Sequence, residues 1–251
     1  MRAKKMNSPD LSFIIPAYNE EKLLPETLDT LNAILENIKE HYSGEIIVVD
    51  NNSTDNTANI AKKHNTHVVF EPDNCIAKAR NAGAKSAEGR FFIFVDADTL
   101  PTSEITLKSL DLLNSGTICG GGAGVEFDIE KMPFFANLVL IWWETITFFS
   151  PLAAGSYIFC LAEAWRDVGG FYEKLYASEE VNFSYKLKRW GRKHKMKFTL
   201  LKERVTTSAR KLEWYTPAHM FFFVMLNCFC PFLIRSRKLC YMWYKRPKDK
   251  K

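Results

Sequence analysis

The stretch Phe91-Phe92-Ile93-Phe94-Val95-Asp96-Ala97-Asp98 most constrains what this chain can fold into. Five consecutive apolar residues, several aromatic or β-branched, read as a short strand buried on both faces. A polar turn begins at Asp96 and Pro101 closes it, so two carboxylates stand at the carboxyl end of a core strand. In an open α/β sheet that is where ligands bind. Two close carboxylates repel unless a cation or a proton takes part of their charge. A hard divalent cation, Mg2+ or Mn2+, bridging to a diphosphate would do so. A lone Asp-x-Asp is also a common turn and helix-capping pattern, so the rest of the chain has to decide between the two.

The same design repeats upstream. Leu11 to Ile15 is an apolar strand ended by Pro16, and Ala17-Tyr18-Asn19-Glu20-Glu21 is the polar turn after it. A helix from about Leu23 to His41 shows apolar residues at Leu24, Leu28, Leu31, Ile34, Leu35 and Ile38. Glu45 to Asp50 is a second buried strand, again ending on a carboxylate, and residues 51–56 form a loop of good helix caps before a helix from Thr57 to His64. Val68-Val69-Phe70 is a third strand, and residues 76–87 form a small-residue helix carrying Lys78, Arg80 and Asn81. This alternation predicts a parallel sheet with right-handed crossovers, a nucleotide-binding α/β half. No Gly-x-Gly-x-x-Gly follows the first strand and no Gly-Lys-Ser/Thr is present, which argues against a dinucleotide cradle and removes a P-loop.

The second half reads differently. A helix spans about Glu104 to Leu113, Gly116 to Gly124 reads as a flexible run, and Val125-Glu126-Phe127 as a strand. Residues 133–161 are apolar and aromatic around Trp142 and Trp143. Gly169-Gly170-Phe171-Tyr172 is a turn. Ser178 to Gly191 reads as a helix with Ser178 as N-cap, acids in its first turn and Lys/Arg in its last. Residues 195–201 alternate as a strand, and Met220 to Ile234 is a nearly continuous apolar run.

In this order the pieces resemble the family-two glycosyltransferases of GT-A fold. The match rests on Phe13 to Glu20, Ile47 to Thr57, Asp96-Ala97-Asp98, and Gly169-Gly170-Phe171 with Ser178-Glu179-Glu180 and Lys188-Arg189. It covers roughly residues 9–210. The resemblance implies an α/β fold with an open, mostly parallel sheet flanked by helices. It divides the chain into a nucleotide-binding half (9–100), an acceptor half (101–211), and an apolar helix with a basic tail (212–251). It implies an inverting transfer from a nucleotide sugar, UDP- or GDP-linked, to the hydroxyl of a glycan or lipid-linked acceptor. Pro16, Ala17 and Tyr18 would line the base pocket with Glu20 near the ribose or base, and Asp50 would hydrogen-bond the nucleoside. Asp98 and Asp96, flanking Ala97, would hold the divalent metal that bridges both phosphates. Lys78 or Arg80 would add a positive contact to the diphosphate, unless both only lie on a solvated helix face. The family's usual acid pair is Glu-Asp with Asp as base, so Glu180 takes the base position here and Glu179 is the runner-up. Arg210 would reach the phosphates from a mobile loop.

This sequence departs from the pattern at Asn51, where a second Asp is common, and at Asn182, where an acid is common. No third metal ligand follows from spacing, with His219 and His194 as candidates. The Glu179-Glu180 pair, in place of Glu-Asp, and Asn51 leave room for an inactive GT-A domain serving as a membrane-bound partner subunit or scaffold. A nucleotidyltransferase is a further alternative, but it would place a Gly-rich, basic loop where Pro16 to Glu20 stands.

The chain has 251 residues, 47% of them hydrophobic, enough for one large domain or one with an appendage. Its net charge of +5 is uneven. Arg235, Arg237, Lys238, Lys245, Arg246, Lys248, Lys250 and Lys251 are opposed only by Asp249. Beside an apolar run, 220–234, too short to span a bilayer, this predicts an interfacial or re-entrant membrane anchor on anionic lipid, with residues 134–152 as a second apolar surface and no nucleic-acid partner. A core helix or dimer interface for the apolar stretches and a disordered, solubilising tail are the alternatives. The six Cys lack metal-ligand spacing and read as reduced, buried thiols. No apolar stretch follows the basic first residues, so no signal peptide is expected. The expected location is cytoplasmic, peripheral or monotopic at the membrane's cytoplasmic face.

Overall fold

The computed structural model describes residues 8–129, 151–210 and 233–244. The apolar runs of the first half become strands. β1 (Leu11–Ala17) pairs in parallel with β2 (Gly44–Asp50) on one side and with β4 (Phe91–Val95) on the other, and β3 (His67–Phe70) extends the sheet beyond β2. Helices α1 (Leu24–Ile38), α2 (Thr57–Lys63) and α3 (Ile76–Ser86) supply the crossovers. α1 buries Leu24, Leu28, Leu31, Ile34 and Ile38, one face of a 3.6-residue period. β1 continues through Pro16 to Ala17. Pro16 lies past the last β1–β4 pair, Ile14 with Phe94, so its missing N–H breaks no bond on that side.

Every residue of β4 is buried, and its side chains divide between two cores. Phe91, Ile93 and Val95 join the layer under α1, while Phe92 and Phe94 join the layer under the second half of the chain. The strand is thus covered on both faces, as its composition predicts.

The second half adds β5 (Thr99–Leu100), α4 (Ser103–Asn114), β6 (Ile118–Phe127), β7 (Tyr157–Leu161), α5 (Ala162–Asp167), α6 (Glu179–Lys193) and β8 (Lys197–Thr207). A 3-10 turn at Leu233–Arg235 and a short α7 (Tyr241–Tyr244) follow. Among the described residues the sheet has eight strands in the order β3-β2-β1-β4-β7-β6-β8-β5. β7 runs antiparallel to β4 and β6, β8 runs parallel to β6, and β5 runs antiparallel to β8. The result is an open, mostly parallel α/β sheet flanked by helices. The chain leaves β1 toward β2 and β3, then returns through α3 to β4 on the opposite side of β1. The crevice at the carboxyl ends of β1 and β4 is therefore a topological switch point, where such sheets bind ligands.

Two expectations need correction. The glycine run before Gly124 is not flexible: Gly120, Gly121 and Gly122 lie inside β6 and pair with Cys160, Phe159 and Ile158 of β7. A Cβ at Gly121 would collide with the Thr199 carbonyl oxygen and the Phe159 ring, and one at Gly120 would stand 2.8 Å from the Phe159 carbonyl oxygen. Glycine is there because neighbouring chain comes too close for a side chain. Second, Ser178 precedes α6 but does not cap it with its side chain. Its φ of 58° is left-handed, outside the extended conformation from which an N-cap hydroxyl reaches back. The basic segment after the apolar run packs on the domain. The Tyr176 amide donates to the Ile234 carbonyl at 2.7 Å, Tyr244 packs edge-on against Tyr176, and Cys240 is fully buried. Most of the apolar run itself, and Trp142 and Trp143, lie outside the described residues, as do Cys228, Cys230 and His219. Among the described residues no helix is long and apolar enough to cross a membrane. Cys75, Cys119, Cys160 and Cys240 are free and buried.

Candidate active site

Packing of the second core places the acid pair. Phe94 of β4 meets Phe171 edge-on at 4.9 Å, and Phe171 stacks on Phe183 of α6 at 4.2 Å. Asn81 of α3 grips Phe171 by its backbone, donating to its carbonyl and accepting from its amide, each at 2.9 Å. The Gly169–Gly170 turn, with both glycines at positive φ, delivers Phe171 into this cluster. α6 is thereby pinned across the end of β4, and its first turn brings Glu179 and Glu180 to the strand end that carries Asp96 and Asp98. Ser178, in a left-handed conformation immediately before that turn, is the kind of local strain that clusters at functional sites.

Arg80 ties these parts together. Its side chain is 1% exposed. One Nη donates to Glu179 Oε1 at 2.6 Å, and the other to Asp96 Oδ1 at 2.9 Å and to the Gly155 carbonyl at 2.8 Å. Burial works against its charge, but the carboxylates of Asp96, Glu179 and Glu180 outweigh that and raise its pKa further. Arg80 is neither on a solvated face nor open to a diphosphate, because it is buried and both terminal nitrogens are bonded inside the protein. Lys78 is the exposed member of the pair and is bound to Asp73.

Asp98 has its own guanidinium. Arg210 stands 3.0 Å from Asp98 Oδ2 and grips Glu20 with both terminal nitrogens, at 2.6 and 2.5 Å. The two strand-end carboxylates thus each face an arginine, Asp96 with Arg80 and Asp98 with Arg210. Glu20, buried, is committed to Arg210 rather than turned toward the cleft. Ala97 is buried between them, and its carbonyl accepts from the Thr27 hydroxyl at 2.9 Å.

Glu180 is the acid whose chemistry is displaced most. Burial, then the neighbouring charge of Glu179, pushes its carboxyl up to about 8, against a smaller opposing pull from Arg80. A carboxyl that exchanges its proton near neutral pH is suited to general base work.

A cleft of ≈ 330 Å³ opens at the carboxyl ends of β1, β2 and β3. Tyr18 lines it from the first strand end, Asn52 and Thr54 from the second, and residues 72–75 from the third, with Lys78, Tyr176 and Arg237 around them. Asn51 builds one wall. Its amide donates to the carbonyls of Glu71 and Asp73 at 3.1 and 2.6 Å, and its oxygen accepts from the Cys75 amide at 2.9 Å. An aspartate could not make the two donations. Asp50 is buried and accepts from the Ser53 amide, shaping the turn in which Asn52 takes a left-handed φ. Asn19, also left-handed, bonds across to Ser53 and Thr54, locking the first two strand-end loops together. Ala17 accepts from the Asn51 amide beside Pro16.

A divalent cation fits the donor set at Asp96 and Asp98: two hard carboxylate oxygens on one turn, both now charge-compensated by guanidinium groups in contact with them. Among the described residues no cluster of three His, Cys, Asp or Glu side chains supplies a complete protein cage, so further ligands would come from water or substrate oxygens. His194 is not one of them. It lies at the far end of α6 from Glu180, stacked on Trp190 at 3.8 Å and bonded to that residue's carbonyl. Arg237, which sequence reasoning assigned to a lipid-facing tail, lines the cleft. Asn81 was noted only as part of a helix, and no local sequence signal ties either residue to the site.

The chain matches the family described as Glycosyl transferase family 2 over residues 12–133. It is 33% identical over 153 residues to a "Dolichyl-phosphate beta-glucosyltransferase" of Drosophila melanogaster, covering 53% of this chain and 47% of the relative. The mannosyltransferase PcManGT from Pyrobaculum calidifontis, solved in complex with GDP-Man and Mn2+, superposes with a TM-score of 0.66 at 17% identity over 93% of this chain and 64% of that one. S. aureus TarS 1-349 in complex with UDP-GlcNAc gives 0.62 at 22% identity over 90% and 67%. The chain spans less than two thirds of the length of the first curated relatives it matches. With the motifs and the sheet order in agreement with that match, residues 12–133 of this chain belong to the family 2 glycosyltransferases.

Proposed function

We propose that the chain transfers a sugar from a UDP- or GDP-linked donor to an acceptor hydroxyl with inversion at the anomeric carbon, using Mg2+ or Mn2+, and that the acceptor is lipid-linked or part of the cell envelope. The observation that carries this is the Asp96–Arg80–Glu179 bridge, which joins the strand-end carboxylate Asp96 to the acid pair at the start of α6. The cleft takes the nucleoside, with Tyr18 and the loops held by Asn51 and Asp50 around it. Asp96 and Asp98 would hold the cation, which when bound offsets the charge of the departing nucleoside diphosphate. Lys78 and Arg210 are the further cations for the phosphates. Glu180 takes the proton from the acceptor hydroxyl as its oxygen attacks the anomeric carbon, and the bond from that carbon to the diphosphate breaks on the opposite side. Glu179, held by Arg80, sets the place of the first turn.

Relatives named for dolichyl-phosphate and poly(ribitol-phosphate) glucosyl transfer support an envelope or lipid-linked acceptor. Solved neighbours bound to UDP-GlcNAc and to GDP-Man with Mn2+ support the donor class and the metal. Peripheral attachment at the cytoplasmic face, through the apolar residues 134–152 and 220–234, belongs to the same proposal. Of the departures from the family pattern, Asn51 sits in a loop lock and Glu180 lies within the field of Glu179 and Arg80, which supports a working site over an inactive scaffold. The test is a transfer assay with labelled UDP- and GDP-sugars and a polyprenyl phosphate acceptor, with the product's anomeric configuration read by NMR. Transfer with inversion supports the reading. Retention of configuration, or no transfer to any lipid or polyol phosphate from a donor that binds, overturns the corresponding part.

A further inference from the structure

The C-terminal segment is built into the cleft. Three contacts fix it: the Tyr176 amide to the Ile234 carbonyl at 2.7 Å, the edge-on packing of Tyr176 on Tyr244 with ring centroids 5.7 Å apart, and the complete burial of Cys240. The guanidinium of Arg237 lies over the Tyr244 ring at 5.5 Å, which orients it, and the residue is exposed and lines the cleft. Tyr176 itself lines the same cleft, so the residue that receives the segment and the cation the segment delivers belong to one wall. Among the described residues Lys78 and Arg237 are the two cations of that lining, and Asp73, its one carboxylate, is already bound to Lys78.

Resting on the donor assignment above, we infer that Arg237 is a binding residue for the anionic part of the donor, so that the segment after the apolar run completes the nucleoside diphosphate site. A planar guanidinium presents paired donors that match phosphate oxygens. The segment's basic character then serves the donor, and an acceptor or membrane surface engaging residues beyond it would act on the donor site directly.

The test uses the full chain with Mn2+ present. Binding of UDP and GDP, and of uridine and guanosine, is measured by calorimetry for the wild type, Arg237→Ala and Lys238→Ala, with melting curves to check folding. Arg237 is exposed, so its truncation should leave the fold intact. The expected result is that Arg237→Ala weakens the diphosphate about tenfold, the loss of one exposed charge-assisted contact. It leaves the nucleoside unchanged, and Lys238→Ala changes neither. Equal binding by Arg237→Ala and wild type overturns this inference alone. So does an equal loss for diphosphate and nucleoside, or the same loss in Lys238→Ala. No binding of any nucleotide by the wild type overturns the donor assignment and the inference with it.

Discussion

Arg80 and Glu179 stand 99 positions apart in the sequence and 2.6 Å apart in the structure, in a pair that is almost wholly buried. The same guanidinium holds Asp96. One buried cation thus joins the two acidic motifs of the site, and the predictions below start from it.

Arg80→Met keeps the volume of the stem and removes the charge, leaving the buried Glu179 and the partly buried Asp96 without their shared cation. Breaking a buried pair in this way costs about 3–5 kcal/mol. Urea unfolding should show that loss, with the residual activity of the folded fraction reduced as well. A variant as stable as wild type would mean that the bridge is not a structural tie.

Glu180→Gln removes the proposed base and keeps the shape. Turnover should fall about 10²–10⁴-fold, while donor affinity stays near the wild-type value. In the wild type, turnover should rise with pH as Glu180 loses its proton, with an inflection near 8, and Glu180→Gln should lack that inflection. A wild-type profile flat from pH 6 to 9 would point to a different base.

The same raised proton affinity makes a stability prediction. The native state keeps the Glu180 proton over a range in which the unfolded chain has released it. Its contribution is complete below the ordinary glutamate range and is lost as pH rises through about 8. Denaturation midpoints measured between pH 5 and 9 should fall with pH in the wild type and fall less in Glu180→Gln.

Asn51→Asp restores the family's more common residue, yet it should destabilise this protein. Two donations, to the carbonyls of Glu71 and Asp73, become two carboxylate–carbonyl repulsions. A loss of about 1–3 kcal/mol is expected, with weaker nucleotide binding because residues 72–75 line the cleft. Thermal melts with and without UDP or GDP check both parts.

The α/β half was legible because its strands are short buried runs and its helices carry one clean apolar stripe, as Leu24, Leu28, Leu31, Ile34 and Ile38 show. The glycines of β6 were misread because a strand whose side-chain space is filled by Phe159 and the Thr199 carbonyl has the same composition as a flexible loop. β7 was lost inside an apolar stretch with no turn signals to bound it. The strand-end acids could be found from their place after apolar runs. The arginines could not, since Arg210 meets Glu20 across 190 positions and nothing local marks either partner. The basic tail's charge pattern fits lipid and phosphate equally well, and the packing of Tyr176 against Tyr244 near Arg237 has no local sequence signal.

Donor binding tests the central claim most directly. Calorimetry with UDP- and GDP-sugars, with and without Mn2+, is run on the wild type and on Asp98→Asn. The account predicts that one nucleotide class binds the wild type, that Mn2+ strengthens that binding, and that the Mn2+ effect disappears in Asp98→Asn. Binding that ignores Mn2+, or that is the same in Asp98→Asn, would contradict the assignment of Asp96 and Asp98, and a folded wild type that binds no nucleotide sugar would contradict the account as a whole.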